Sequence, residues 1–98
     1  MYVVKKDKSR EKFSIEKLSA GIEKAFEKRP VAKEEIEKMI HDIEEQLRKK
    51  GKEVKSSVVG ELIMRKIKKL DNVAFIRFAS VYRDFQDIKD FKKELREL

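Results

Sequence analysis

Apolar residues recur along this chain at two different spacings, and the switches between them mark its elements. Near the start, the β-branched pair Val3 and Val4 precedes a wholly polar run from Lys5 to Arg10, and Glu11, Lys12 and Phe13 follow. Two short extended stretches around a charged turn predict a β-hairpin. Ser14 stands where a helix N-cap belongs. Ile15, Leu18, Ile22, Ala25 and Phe26 then recur at helical spacing, predicting a first helix with one apolar face. Gly21 lies inside that helix, where it costs about 1 kcal/mol relative to alanine, and so points to close approach of another element. Lys28, Arg29 and Pro30 end the helix.

Ile36, Met39, Ile40, Ile43 and Leu47 predict a second helix over residues 33–50, with Gly51 as its stop. Its acids come early (Glu34, Glu35, Glu37) and its bases late (Arg48, Lys49, Lys50), which suits the helix dipole. Glu53-Val54-Lys55 is too short for a helix and reads as a third strand able to pair with the hairpin. Ser56 or Ser57 is then expected to cap a third helix carrying Val59, Leu62, Ile63, Ile67 and Leu70. Asp71 caps a fourth, over residues 72–85, apolar on most sides through Ala74, Phe75, Ile76, Phe78, Ala79, Val81, Tyr82 and Phe85, and therefore expected to be central. Arg77 and Arg83 interrupt it on different faces. A last helix from about Asp87 puts Ile88, Phe91, Leu95 and Leu98 on one stripe. The order β-β-α-α-β-α-α-α describes a single α+β domain over residues 1–98. Its small three-stranded sheet, the hairpin plus one strand, caps a four- to five-helix bundle.

Composition narrows the function. The chain has 98 residues, 40% hydrophobic and 46% charged, enough for one modest core under a heavily charged skin. A net charge of +7 favours anionic partners, nucleotides or nucleic acid, without choosing between them. There is no cysteine, hence no disulfide framework and no thiolate metal site. No apolar run approaches the roughly 20 residues that span a bilayer, and the start lacks a signal-peptide core, so a cytoplasmic location is expected. His41, the only histidine, falls about 140° from the centre of the second helix's apolar stripe and reads as a surface residue. No catalytic constellation is visible: there is no Walker loop and no cluster of acids spaced for metals, so no enzymatic activity is expected.

Cations gather in the stretches Lys5 to Lys12, Arg48 to Lys55 and Arg65 to Lys69. The first differs because it sits on a turn beside a helix start, with Lys17 one turn further on. Unpaired amides, the helix dipole and ammonium groups there all favour phosphate oxygens.

These residues also carry a resemblance. Val3, Lys5, Lys6, Asp7, Glu11, Phe13, Lys17 and Leu18 reproduce the spacing that opens an ATP-cone. This is the small nucleotide-sensing domain of ribonucleotide reductases and of the repressor of their operons. Glu27 to Val31, Val54 to Ser57 and Val73 to Phe85 resemble successive segments of the repressor-type cone, so the likeness covers nearly the whole chain. It implies a domain that binds ATP or dATP, with Mg²⁺ arriving on the phosphates, and whose nucleotide state controls homo-oligomerisation through cone–cone contacts. It implies that Lys5 and Lys6 close over the triphosphate and that Lys17 reaches it from the first helix. Glu11 would accept from a ribose hydroxyl or the adenine amino group, and Val3 would meet the adenine. Ser56 matches a hydroxyl position near the nucleotide, with Gly60 one turn on. Tyr82 and Arg83 lie in a Val-Tyr-Arg segment tied to nucleotide binding or cone contacts. The turn departs from the usual Lys-Arg-Asp-Gly: Lys8 replaces the glycine of a left-handed position. The four-cysteine zinc ribbon with which the repressors read DNA has no counterpart here, so DNA recognition is not expected of this chain alone. Two other readings are a basic nucleic-acid-binding module, which the scarcity of exposed aromatics disfavours, and a cone-shaped scaffold without a ligand.

Overall fold

A computed structural model describes residues 1–98. The hairpin forms as expected from β1 (Tyr2–Val4) and β2 (Arg10–Lys12), paired antiparallel with Val3 opposite Glu11. Its turn is closed by Asp7, whose Oδ1 accepts from the Ser9 amide at 2.9 Å and the Ser9 hydroxyl at 2.6 Å. Lys8 sits at φ 69°, the left-handed position where glycine would be unstrained. β3 (Glu53–Lys55) joins the other edge of β1, in parallel, with Val54 beside Val3. The strand order is β2-β1-β3.

Five helices follow the sequence pattern: α1 (Ile15–Ala25), α2 (Lys33–Arg48), α3 (Ser56–Leu70), α4 (Asn72–Tyr82) and α5 (Ile88–Arg96). Ser14 caps α1, accepting from the Lys17 amide at 3.2 Å. Gly51 ends the turn after α2 at φ 115°. Ile22, Ile43, Leu47, Met64 and Ile67 are fully buried at the centre of one core. No helix is long and apolar enough to cross a membrane.

Three expectations need correction. No serine caps α3: β3 runs straight into the helix, so Lys55 takes the N-cap position without a side-chain bond and Ser56 and Ser57 become the first helical residues. α4 ends at Tyr82, not at residue 85, and Asp84 turns the chain away at φ 52°. It packs against α1, α3 and α5 but buries only Ala74, Phe75 and Ala79, while Val81 is 82% exposed. The most buried helix is α3, which lies between α2 and α4 below β3. The apolar stripe of α5 does not face the core: Ile88, Leu95 and Leu98 are exposed, and only Phe91 packs inward, edge-on to Phe85 at 4.8 Å. The reason is electrostatic. Arg83 pairs with Glu94, which is 4% exposed, and that bond turns the polar side of α5 towards α4.

A second ion pair fixes the other end of the bundle. Arg29, just past α1, grips Asp71 with Nε at 2.8 Å and Nη2 at 3.0 Å, while Asp71 also accepts from the Ala74 amide at 2.9 Å as the cap of α4. The Arg29 guanidinium, above all, holds the Asp71 carboxyl below its ordinary range. A folded-state pKa below the unfolded one gives stability that is complete above pH about 4 and is lost as pH falls through the folded value. Asp71→Asn keeps a capping oxygen but not the charge. It is therefore expected to be less stable than wild type at neutral pH and to flatten the acid limb below pH about 4, as read by urea melts across pH.

Candidate functional site

The sheet does not lie flat on the bundle. Between the hairpin, α1, α3 and α4 it leaves a cavity of about 260 Å³, walled by Val3, Phe13, Leu18, Val59, Ile63 and Phe78. Leu18 comes from the apolar stripe of α1, Val59 and Ile63 from that of α3 and Phe78 from α4, while Val3 stands on β1 and Phe13 directly follows β2. Val3 is placed by the central strand, and Phe13 is held from outside by the Arg48 guanidinium, 5.4 Å above its ring. At the mouth stand Glu11, Lys12, Ser14 and Lys17.

Glu11 organises that mouth. It accepts from Lys5 at 2.8 Å through one carboxylate oxygen and from Lys17 at 2.7 Å through the other. The Lys17 ammonium, then that of Lys5, pulls the Glu11 carboxyl down to about 2, and Glu11 in return pushes Lys5 up. Lys6 is exposed on the turn and makes no ion pair with any residue of the chain. An apolar cavity with ammonium groups at its rim, beside a helix N-terminus, suits a ligand with a flat apolar part and an anionic tail.

A larger groove, about 710 Å³, runs between α1 and α4 and is lined by Lys24, Lys28, Arg77, Val81 and Tyr82. Gly21 and Phe78 line both spaces. A Cβ on Gly21 would meet only the Phe78 ring, at 4.0 Å, so close packing does not require glycine there. What it does is keep the wall between the two spaces thin. Arg77 is taken up by the end of α1, donating to the carbonyls of Ala25 at 3.2 Å and Glu27 at 2.7 Å.

The remaining sequence candidates form a separate group. Tyr82 stacks on Phe78 with ring centres 6.3 Å apart, and its hydroxyl reaches the Ser56 carbonyl at 3.3 Å. Its ring lies on Gly60, where a Cβ would overlap the ring and hydroxyl. Burial, above all, raises the Tyr82 pKa. Ser56, Gly60 and Tyr82 are thus brought together, one layer behind the hairpin cavity. Arg83 lines neither space and is bound to acids: Glu94 on α5, Glu61 at 3.4 Å and Glu97 at 4.0 Å. Gly60→Ala is expected to expel the Tyr82 ring and cost about 1–2 kcal/mol. Adding Tyr82→Ala should remove most of that clash, so thermal melts of the single and double variants read the coupling directly.

The residues that sequence reasoning passed over as site residues are the cavity walls Phe13, Leu18, Val59, Ile63 and Phe78. Their periodicity marks them as core, and only their common nearness to the hairpin could have singled them out.

A helix bundle whose small mixed sheet roofs an apolar cavity, with cations at the mouth, is the architecture of a small ligand-binding domain. The family model of the ATP cone domain matches residues 1–88, and the chain belongs to that family. It is 54% identical to the transcriptional repressor NrdR of Geobacillus kaustophilus (strain HTA426), across the whole chain and 65% of that relative. Identity to the transcriptional repressor NrdR of Shouchella clausii (strain KSM-K16) is also 54%, over the whole chain and 66% of the relative. With that of Acetivibrio thermocellus it is 55%, over 98% of the chain and 64% of the relative. The chain spans about 65% of the length of the curated relatives it matches.

Proposed function

We propose that this domain binds ATP and dATP beneath its hairpin and that the bound nucleotide sets how copies of the domain associate. The observation that carries the reading is the Lys5–Glu11–Lys17 cluster at the mouth of an apolar cavity, in a chain of the ATP-cone family. In this reading the base enters between Val3, Phe13, Val59 and Phe78, and the sugar lies near Glu11, which accepts from its hydroxyl or from the adenine amino group. The polyphosphate stays outside, against Lys17, Lys5 and Lys6 at the start of α1. Tyr82, seated on Gly60 and bonded to Ser56, braces the α3 side of the cavity. Arg83 contributes by holding α5. Mg²⁺ would arrive with the nucleotide, bound mainly by its phosphates. In the longer setting of the relatives named as repressors, the nucleotide signal would govern transcription in the cytoplasm, with the ribonucleotide reductase genes as the target the resemblance implies.

Isothermal titration of the 98-residue chain with ATP, dATP and GTP in the presence of Mg²⁺ tests this. Binding of ATP and dATP with at least about tenfold discrimination against GTP is expected, with sedimentation shifting between nucleotide states. No binding of any of the three would leave a cone-shaped scaffold.

A further inference from the structure

We infer that Glu11 is an internal stand-in for phosphate, which keeps Lys5 and Lys17 occupied so that a polyphosphate is admitted only when it brings hydrogen-bond donors for the carboxylate it displaces. The inference deepens the nucleotide reading above and, for its ATP arm alone, rests on it.

One carboxylate fastens three elements. Glu11 stands on β2, its position fixed by the register that sets it opposite Val3, and each of its oxygens holds a different ammonium. Lys5 comes from the hairpin turn and Lys17 from α1. The neighbouring acids are engaged elsewhere: Asp7 closes its own turn through Ser9, Glu16 accepts from the Ser14 hydroxyl at 3.2 Å, and Glu53 pairs with Arg10 at 2.6 Å. Glu11 is therefore the counter-ion of both lysines, and it remains ionised down to a pH of about 2.

A polyphosphate that takes these two lysines exchanges one anion for another. The exchange gives up the two Glu11 bonds to make the phosphate ones, and a bare carboxylate is left beside the incoming negative charge. That carboxylate is an acceptor only, so it can be satisfied by hydroxyl or amino donors and by no oxygen of a fully ionised phosphate. A nucleotide carries such donors on its sugar and base. Inorganic tripolyphosphate carries the same run of phosphates without the sugar and base that bear those donors. The clasp thus makes phosphate capture conditional on the rest of the ligand, and places a specificity-determining role on a residue that need not touch the phosphates.

The test compares wild type, Glu11→Gln and Glu53→Gln by titration with inorganic tripolyphosphate and with ATP at one ionic strength. Glu53→Gln removes the same single charge from the same small sheet without touching the clasp. Glu11→Gln is expected to tighten tripolyphosphate binding on the order of tenfold, and to gain less for ATP or lose affinity for it. Glu53→Gln should stay within about twofold of wild type for tripolyphosphate. An unchanged tripolyphosphate affinity in Glu11→Gln, or an equal gain in Glu53→Gln, overturns the inference whether or not ATP binds. If wild type ignores ATP while Glu11→Gln still tightens on tripolyphosphate, the adenine-nucleotide reading falls and the clasp stands.

Discussion

Alanine in place of Lys17 is expected to weaken ATP and dATP binding by roughly 10- to 100-fold, the range of a charge-assisted hydrogen bond to phosphate. The melting temperature should stay within about 2 °C of wild type. The two halves of this expectation have different sources. Lys17 is 77% exposed and its one partner is Glu11, so the fold does not depend on it. Its ammonium nevertheless stands at the cavity mouth at the start of α1, where a polyphosphate would gain most. Lys5→Ala should act in the same direction. The turn bonds of Lys5 are made by its backbone, the amide donating to Ser9 and the carbonyl accepting from Lys8, and these survive the change. Titration calorimetry paired with thermal denaturation separates binding from folding. Wild-type affinity in both variants would remove the hairpin mouth as the phosphate site.

Arg83→Ala is expected to do the reverse, costing about 2–3 kcal/mol of stability with nucleotide affinity changed by less than about threefold. Without the guanidinium, Glu94 is a buried carboxylate with no cation, and its Oε2 has no hydrogen-bond partner even in the intact protein. α5 would then be held chiefly by Phe91 on Phe85 and by Lys68, whose ammonium donates to the Glu97 carbonyl at 2.7 Å. Loss should therefore be local: amides of α5 exchange faster while those of α2 and α3 remain protected. Replacing the pair by Arg83→Met with Glu94→Leu should recover much of the stability, because an apolar pair needs no counter-ion. A large loss of nucleotide affinity with α5 still protected would return Arg83 to the binding site.

The contrast between these two residues shows what a sequence can disclose. Lys17 and Arg83 were both marked by the family pattern, and both are cations near an element end. The hairpin, the Ser14 cap, the Glu53–Lys55 strand and the Asp71 cap were legible because each is decided within a few neighbouring residues. The helical stripes named the core of α1 to α3 for the same reason. The orientation of α5 was not legible. Its stripe is real, but Glu94 faces Arg83, 11 residues earlier in the chain, and with that face turned inward Ile88 and Leu95 meet solvent. The cap of α3 failed because a strand feeding directly into a helix leaves no separate position for a serine. The cavity was only half legible. Its charged mouth is written in consecutive residues, whereas its walls meet only when β1, α1, α3 and α4 are assembled.

The parallel pairing of β1 with β3 has a kinetic consequence. Val3 and Val54 are separated in the chain by α1 and α2, so their pairing in the sheet over the cavity closes a long loop that the hairpin alone does not. The roof should then be among the last parts to form and, by the same route, among the first to come apart. A ligand held beneath it binds only the assembled state, and its main effect on the chain's lifetime should be to slow unfolding while the rate of folding stays nearly the same.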